Sequence, residues 1–345
     1  MWVAGWTEGG APFGLTYDEW RRAQRDGESQ AGWARALSIF EDLARANDRR
    51  DTEVEVGRVV KIGEGLSRDA FVAEVNLVPD PEGIAGPYVV LLPRKDVEPG
   101  IDARRRRELR LLGWLQRRSF AFRVPRPLGV LPDIHGLALA RAFVRGIPLD
   151  LRAGRQPSVK PWQVIGEVAA SLHGLETSSV PFSLPGFLTR REHALAALKS
   201  LEGLEASEVQ EARAWALQHL PPADPASLLH GDLLGQNILL DPGETLPYAV
   251  IDWEYAATGD PALDLAIVTR GKRQPFQVAG GLDRLLEAYA AAGGKVITRQ
   301  HVRIHELAMA AVWYRDALQR PRGEGRPPDE ELGLMRRILK MAGGG

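Results

Sequence analysis

Apolar positions change period several times along the chain, and each change marks a different kind of element. Between Ser29 and Asn47 they fall at Trp33, Ala36, Leu37, Phe40, Leu43 and Ala44, the stripe of an amphipathic helix. Ahead of it, Thr16-Tyr-Asp-Glu19 has the spacing of a capping box and opens a short charged helix. From Glu53 the texture turns to β. Glu53–Ile62, Ala70–Val78 and Tyr88–Leu92 read as strands, the first two flanking the loop Gly63-Glu-Gly-Leu-Ser-Arg-Asp69. Ala103–Gln116 returns to helical spacing, with Leu109, Leu112 and Leu115 inward and the arginines, Arg104–Arg107 among them, on the wet side. Leu128–Leu131 and Leu137–Val144 are two more strands around the turn Pro132-Asp-Ile-His-Gly136. Beyond Gly146-Ile-Pro148 the pattern is mostly helical, apart from a short β segment near Leu228–Ile251 and an exposed loop at Arg320–Asp329.

This order predicts an α+β protein with two lobes. Residues 1–50 form a helical N-terminal extension, 51–145 a small β-rich lobe, and 146–345 a larger helical lobe. At 345 residues each lobe can bury its own core, and a cleft between unequal lobes is a favoured ligand position. The stripe of the extension suits packing on the main body or a homodimer contact. A net charge of −1 gives no reason to expect nucleic acid or an acidic membrane as partner. The absence of cysteine excludes disulfides and thiolate metal sites. MWVAGWTEGG has neither a basic leader nor an apolar run of signal-peptide length, and no stretch approaches the ~20 apolar residues of a membrane span, so a cytoplasmic protein is expected.

The chemistry concentrates in LLHGDLLGQNILL, Leu228–Leu240, where polar groups sit between two apolar runs. Asp232 and Asn237 are five residues apart, and Asp252 follows fifteen residues later in AVIDWE. Ile238–Leu240 and Tyr248–Ile251 read as the two strands of a hairpin, which brings Asn237 and Asp252 to one open end. Oxygen donors gathered there suit a hard cation such as Mg²⁺ held together with phosphate. Protein kinases use this arrangement, in which an Asp orients the accepting hydroxyl and an Asn and a later Asp hold metal. By that pattern Asp232 is the catalytic orienter and base, Asn237 and Asp252 are the metal ligands, and Trp253 fills the aromatic position after the metal-binding Asp. His230 braces the loop. Asp260, followed by Pro261, caps the next helix, and Asp264 one turn on either reaches back to the loop or serves the helix start.

LLHGDLLGQNILLD, AVIDWE and TGDPALDLA, in this order, resemble the aminoglycoside phosphotransferase and choline kinase-like family. The likeness extends more faintly back to about Val54 through the Gly loop, RRRELRLL, and FVRGIPL before VAASLHGLE. It implies a bilobal protein-kinase-like fold, ATP or GTP bound between the lobes with Mg²⁺, and transfer of the γ-phosphoryl group to a small-molecule hydroxyl. Gly63, Gly65 and Ser67 would cover the phosphates, the backbone of Ala142 and Val144 would read the adenine, and Glu108 would be the helix partner of a phosphate-binding cation.

Two departures from the family pattern stand out. The third-strand Lys or Arg is replaced by Leu91 or Leu92, so Arg94 is the first choice for that cation, ahead of Lys95 and Lys61. Arg141 stands in the connector where the family has a bulky apolar residue. The missing cation motivates an alternative, a kinase-like nucleotide-binding protein with weak or no catalysis. For the acceptor, Val268–Arg320 holds nine Lys/Arg against four Asp/Glu, which disfavours a polycationic aminoglycoside. Trp313 and Tyr314 are candidate pocket walls, with core packing as the ordinary fate of each. His301 and His305 are one helical turn apart, a spacing that can chelate a metal, with Glu306 beside them on a different face and no third ligand in clear register; a solvated helix face is the better reading.

Overall fold

Runs of β-branched and aromatic residues broken by glycine produce the first sheet. The computed structural model describes residues 34–35, 37–39, 42, 53–57, 59–64, 68–78, 86–93, 100–156, 158–270, 274–320 and 327–343. By contacts the chain divides into two units, Met1–Leu149 with Gln236–Glu254, and Asp150–Gly235 with Tyr255–Gly345.

In the first unit, β1 (Glu53–Val56), β2 (Val60–Glu64), β3 (Arg68–Val78), β4 (Gly86–Pro93), β5 (Pro127–Asp133) and β6 (Gly136–Ala142) form one antiparallel sheet. Its order is β1-β3-β4-β6-β5, with β2 also on β3. The run read as one strand over Glu53–Ile62 is therefore two. β1 pairs with the far half of β3 and β2 with the near half, and the Gly57 N–H donates to the Glu74 carbonyl at the joint, 2.8 Å away. The two-residue periodicity sorts the apolar side chains by face. Phe71, Ala73, Tyr88, Val90, Leu92 and Ala140 share one core cluster. Ala70, Val72, Val89, Leu91 and Leu139 form the other, against which Leu109 of helix α1 (Ile101–Leu115) packs. On the first face Ile39 from the N-terminal region joins the core, and Arg35 binds Asp133 at 2.5 Å. Neither belongs to the predicted N-terminal stripe, of which all residues but Leu37 lie outside the described residues.

Arg105 corrects the reading of α1. It is fully buried rather than on the wet side, and its guanidinium donates to the Leu137 carbonyl at 2.5 Å, an acceptor supplied by β6 that helical periodicity cannot reveal. The unit is completed by a small antiparallel sheet of β7 (Ile147–Pro148), β9 (Ile238–Leu240) and β10 (Tyr248–Val250).

The second unit is mainly helical. It contains α2 (Pro161–His173), α3 (Arg190–Ala197), α4 (Ser207–Gln218), α5 (Ala262–Thr269), α6 (Gly281–Ala291), α7 (Arg299–Gln319) and α8 (Pro328–Gly343). A two-stranded ribbon, β8 (Ser227–Leu229) with β11 (Ala257–Gly259), leads into the loop that begins at His230. Its core gathers Leu198, Leu201, Val209, Ile304, Leu307 and Met335 from α4, α7, α8 and the turn after α3. No helix among the described residues is long and apolar enough to cross a membrane.

Candidate active site

The loop after β8 is fixed by backbone hydrogen bonds to one buried carboxylate. The N–H groups of His230 and Gly231 donate to Asp264 Oδ2 and Oδ1 at 2.8 and 2.9 Å. Asp264 sits in the first turn of α5, has no exposed surface, and so reaches back to the loop as well as opening its helix. Its remaining partner is His173 at the end of α2, whose Nε2 lies 3.1 Å from Asp264 Oδ2. The other ring nitrogen of His173 is 3.0 Å from the Tyr289 hydroxyl. A tautomer with Nε2–H donating to the carboxylate and Nδ1 accepting from the phenol satisfies all three groups. Burial pushes the Asp264 carboxyl up, but the His173 hydrogen bond, the His173 and His230 charges and the His230 backbone N–H outweigh it, leaving its pKa below the ordinary range. Burial drives the Tyr289 phenol the other way, up.

The same loop positions Asp232. Its N–H donates to His230 Nδ1 at 3.2 Å and its carbonyl accepts from the Leu234 N–H at 2.7 Å, so the His230 ring braces the turn. Gly231 has φ +81°, and a Cβ built there would lie 2.3 Å from the Tyr255 carbonyl oxygen. Both the left-handed backbone and the close approach demand glycine. Gly231→Ala is expected to cost about 2 kcal/mol or more in urea unfolding and to lower turnover with it. A fully stable, fully active variant would contradict this geometry.

Asn237 and Asp252 belong to the other unit, where the predicted hairpin forms. β9 and β10 pair antiparallel with Ile238 opposite Val250, and the Ile251 N–H donates to the Asn237 carbonyl at 2.9 Å. Asn237 and Asp252 therefore stand at the same end of the hairpin. Asn237 is fully buried and Asp252 is 9% exposed. Asp252 has φ +68°, a left-handed conformation unusual for a residue other than glycine, and such strain gathers at functional positions. Trp253 is buried beside it, its indole N–H donating to the Val250 carbonyl at 3.0 Å and its ring 6.3 Å from that of Phe122. An amide and a carboxylate on one strained, buried corner form an all-oxygen donor set. Mg²⁺ accepts such a pair when phosphate oxygens complete its shell, so the residues fit the ion.

The remaining sequence candidates fall as follows. Gly63 lies in β2 opposite Ala70, just past a bulge. Gly65, Ser67, Arg94 and Lys95 lie outside the described residues. Leu91 and Leu92 are both fully buried in β4, on opposite faces of the sheet. Lys61 pairs with Asp69 at 3.5 Å. Glu108 is buried in α1 and Arg141 in β6, opposite Val89. The Ala142 N–H donates to the Arg126 carbonyl at 2.8 Å, which leaves Val144 the freer of the two connector backbones.

Helix α7 overturns one expectation. His305 and Glu306 are buried and His301 nearly so, not a solvated face. His305 Nε2 is 3.1 Å from Asp260 Oδ2, and Arg190 holds Asp260 Oδ1 at 2.8 Å and reaches His301 at 3.2 Å. Glu306 binds Thr269 at 2.5 Å and also pairs with Arg303, and burial raises its pKa. These groups read as surface in the sequence because their partners come from α3 and α5. Asp260 also caps α5, accepting the Ala262 N–H at 3.3 Å.

His193 accepts the Asp260 N–H at 2.9 Å and stacks on Phe187. Burial, aided by the His305 charge, lowers its pKa from 6.5 to about 4. The unfolded chain takes up this proton near pH 6.5 and the native chain only near pH 4. Stability contributed above pH 6.5 is therefore lost as the pH falls across that window, by about 3 kcal/mol at most. The depressed pKa values of Asp260 and Asp264 add losses only below about pH 4. Urea unfolding at pH 7 and pH 4.5 tests this. His193→Asn, which keeps an acceptor but does not titrate, should flatten the acid-side loss; identical profiles would rule the assignment out.

The sequence profile of the phosphotransferase enzyme family matches residues 77–307, well over half of the chain. The chain belongs to the phosphotransferase enzyme family. Among curated proteins, viomycin phosphotransferase of Streptomyces vinaceus is 32% identical over 167 residues, 44% of this chain and 56% of that protein. Acyl-CoA dehydrogenase family member 11 of Gallus gallus is 28% identical over 169 residues, 44% of this chain. The match spans only 21% of that longer protein's length. Among solved structures, a thermostable mutant of aminoglycoside phosphotransferase APH(4)-Ia, in ternary complex with ADP and hygromycin B, superposes with a TM-score of 0.58 at 18% identity. That superposition covers 89% of this chain and 99% of the other. The fold of the chain is thus the kinase-like α+β fold.

Proposed function

We propose that the chain transfers the γ-phosphoryl group of ATP or GTP to a hydroxyl of a small molecule that is not a polycationic aminoglycoside. The observation that carries the reading is the build of the loop. Two backbone N–H groups clamped by buried Asp264 present Asp232, five residues before the buried, strained Asn237–Asp252 corner. Family membership, and the ADP in the related complex, support a nucleotide as donor. Asn237 and Asp252 would hold Mg²⁺, which when bound neutralises charge on the nucleotide phosphates. Asp232 accepts a hydrogen bond from the acceptor hydroxyl, orients its oxygen for in-line attack, and takes its proton as the bond to phosphorus forms. Val144 offers backbone groups to the base, and Gly63 with Gly65 and Ser67 covers the phosphates.

Against the alternative of a non-catalytic nucleotide-binding protein, the three polar groups of the reaction are all present, whereas the missing third-strand cation affects phosphate positioning alone. Mg²⁺-dependent consumption of ATP and GTP against neutral, anionic and cationic hydroxyl acceptors tests the reading. Turnover of at least one non-polycationic acceptor supports it. Tight nucleotide binding with no transfer to any acceptor would favour the alternative.

A further inference from the structure

Arg270 follows α5 directly, its backbone N–H donating to the Ala266 carbonyl at 2.8 Å. Six residues separate it from Asp264, about 9 Å along the helix axis from the carboxylate that holds Gly231. Its guanidinium lies over the Trp313 ring, 6.0 Å from the centroid, and donates to the Met309 sulfur at 3.9 Å. Neither is an oxyanion. Among the described residues no carboxylate lies within ion-pair distance of it. Glu306, a buried acid of α7, is already held by Arg303 and Thr269. Burial lowers the Arg270 pKa, and the one charge that acts in the opposite direction is that of Asp232. The guanidinium is therefore half-buried, within electrostatic reach of the group that would orient the acceptor hydroxyl, and short of an anionic partner.

We infer that Arg270 is the specificity-determining residue of the acceptor subsite, and that the acceptor carries an oxyanion, carboxylate, sulfate or phosphate, near its reacting hydroxyl. A guanidinium presents five donors in a fixed fork that matches such groups, and its desolvation is recovered when one binds. The Trp313 face argues in the same direction. An aromatic ring is the usual seat for a quaternary ammonium, but here a protein cation already covers it. A cationic acceptor would have to displace Arg270 or lie beside its like charge. This inference rests on the phosphotransferase reading for the word acceptor, but the anion subsite stands on unit-two contacts alone.

The test is calorimetric titration of the full chain, with Mg²⁺ and AMP-PNP occupying the nucleotide site, using sulfate and D-glycerate as probes and glycerol and choline as neutral and cationic controls. Wild type should bind the two anions saturably and the controls not at all. Arg270→Gln should weaken the anions by about 10- to 100-fold, and Arg270→Lys by less, with AMP-PNP affinity unchanged. Anion binding that is absent in wild type, unaltered in Arg270→Gln, or weaker than choline binding would overturn the inference. Turnover measured on the same preparations separates the two ideas. Anion binding without any phosphoryl transfer would sink the phosphotransferase reading and keep the subsite. Transfer to neutral acceptors with no response to Arg270→Gln would do the reverse.

Discussion

Asp264→Ala is expected to remove about 3–5 kcal/mol of stability and to abolish measurable turnover. The carboxylate is fully buried and is the acceptor for the His230 and Gly231 N–H groups and for the His173 ring. Truncation strands three donors, two of them fully buried, and each buried one costs about 1–3 kcal/mol before the structure relaxes. Breaking a buried charged contact by removing one partner falls in the same range. The loop that presents Asp232 then loses the two hydrogen bonds that set its course. Because the alanine variant could unfold outright, Asp264→Asn supplies a second reading. It keeps the shape and one acceptor oxygen, turns an amide NH₂ toward a backbone N–H, and should fold with a smaller loss. Its kcat should fall while its affinity for Mg²⁺-nucleotide, which the proposed assignment gives to Asn237 and Asp252, is kept. Urea unfolding, steady-state rates and nucleotide titration read the three quantities. Wild-type kcat in a folded Asp264→Asn chain would show that the clamp does not position the loop for chemistry.

Asp232→Asn is expected to leave the fold intact and to lower kcat by about 10²–10⁴-fold, the range that a positioned general base contributes. The substitution is isosteric, and the backbone bonds of residue 232, to His230 and Leu234, do not involve its carboxylate. What is lost is the acceptor for the substrate proton. An interaction made with the reacting hydroxyl lowers kcat and kcat/KM together, whereas a lost nucleotide contact would raise the nucleotide KM with kcat kept. The nucleotide KM should therefore stay within about twofold of wild type. Rates across a nucleotide titration with a saturating acceptor distinguish the two patterns.

Much of this site could be read from the chain. The hairpin was legible because Ile238–Leu240 and Tyr248–Ile251 are apolar runs around a turn, and a hairpin fixes which residues share an end whatever surrounds it. The Asp264 contact was half legible. Its place one turn into α5 fitted either helix electrostatics or a reach to the loop, and it serves both, since the carboxylate is in the first turn and holds two loop amides. What stayed hidden depends on partners far away in sequence. His173 meets Asp264 from a helix 91 residues before it, and Tyr289, 25 residues after Asp264, meets the other side of the His173 ring; no local pattern encodes that. Arg105, His305 and Glu306 looked wet because charge in a helix normally is. Arg105 is received by a carbonyl of β6 and His305 by the Asp260 carboxylate, while the Glu306 carboxylate accepts from the Thr269 hydroxyl and pairs with Arg303. In sequence Arg270 is only one of nine basic residues between Val268 and Arg320, and its proposed role depends on Trp313 and Met309 beside it and on the Asp232 charge that acts on it.

The central claim is that the segment from His230 to Asp252 carries out phosphoryl transfer. It is tested most directly by ³¹P NMR of the full chain with Mg²⁺, ATP and a turned-over acceptor, wild type beside Asp232→Asn. The account predicts a new phosphomonoester resonance growing as the γ-phosphate signal declines in wild type, and neither change on the same timescale in Asp232→Asn, with nucleotide bound in both. A phosphomonoester formed at the wild-type rate by Asp232→Asn would contradict it.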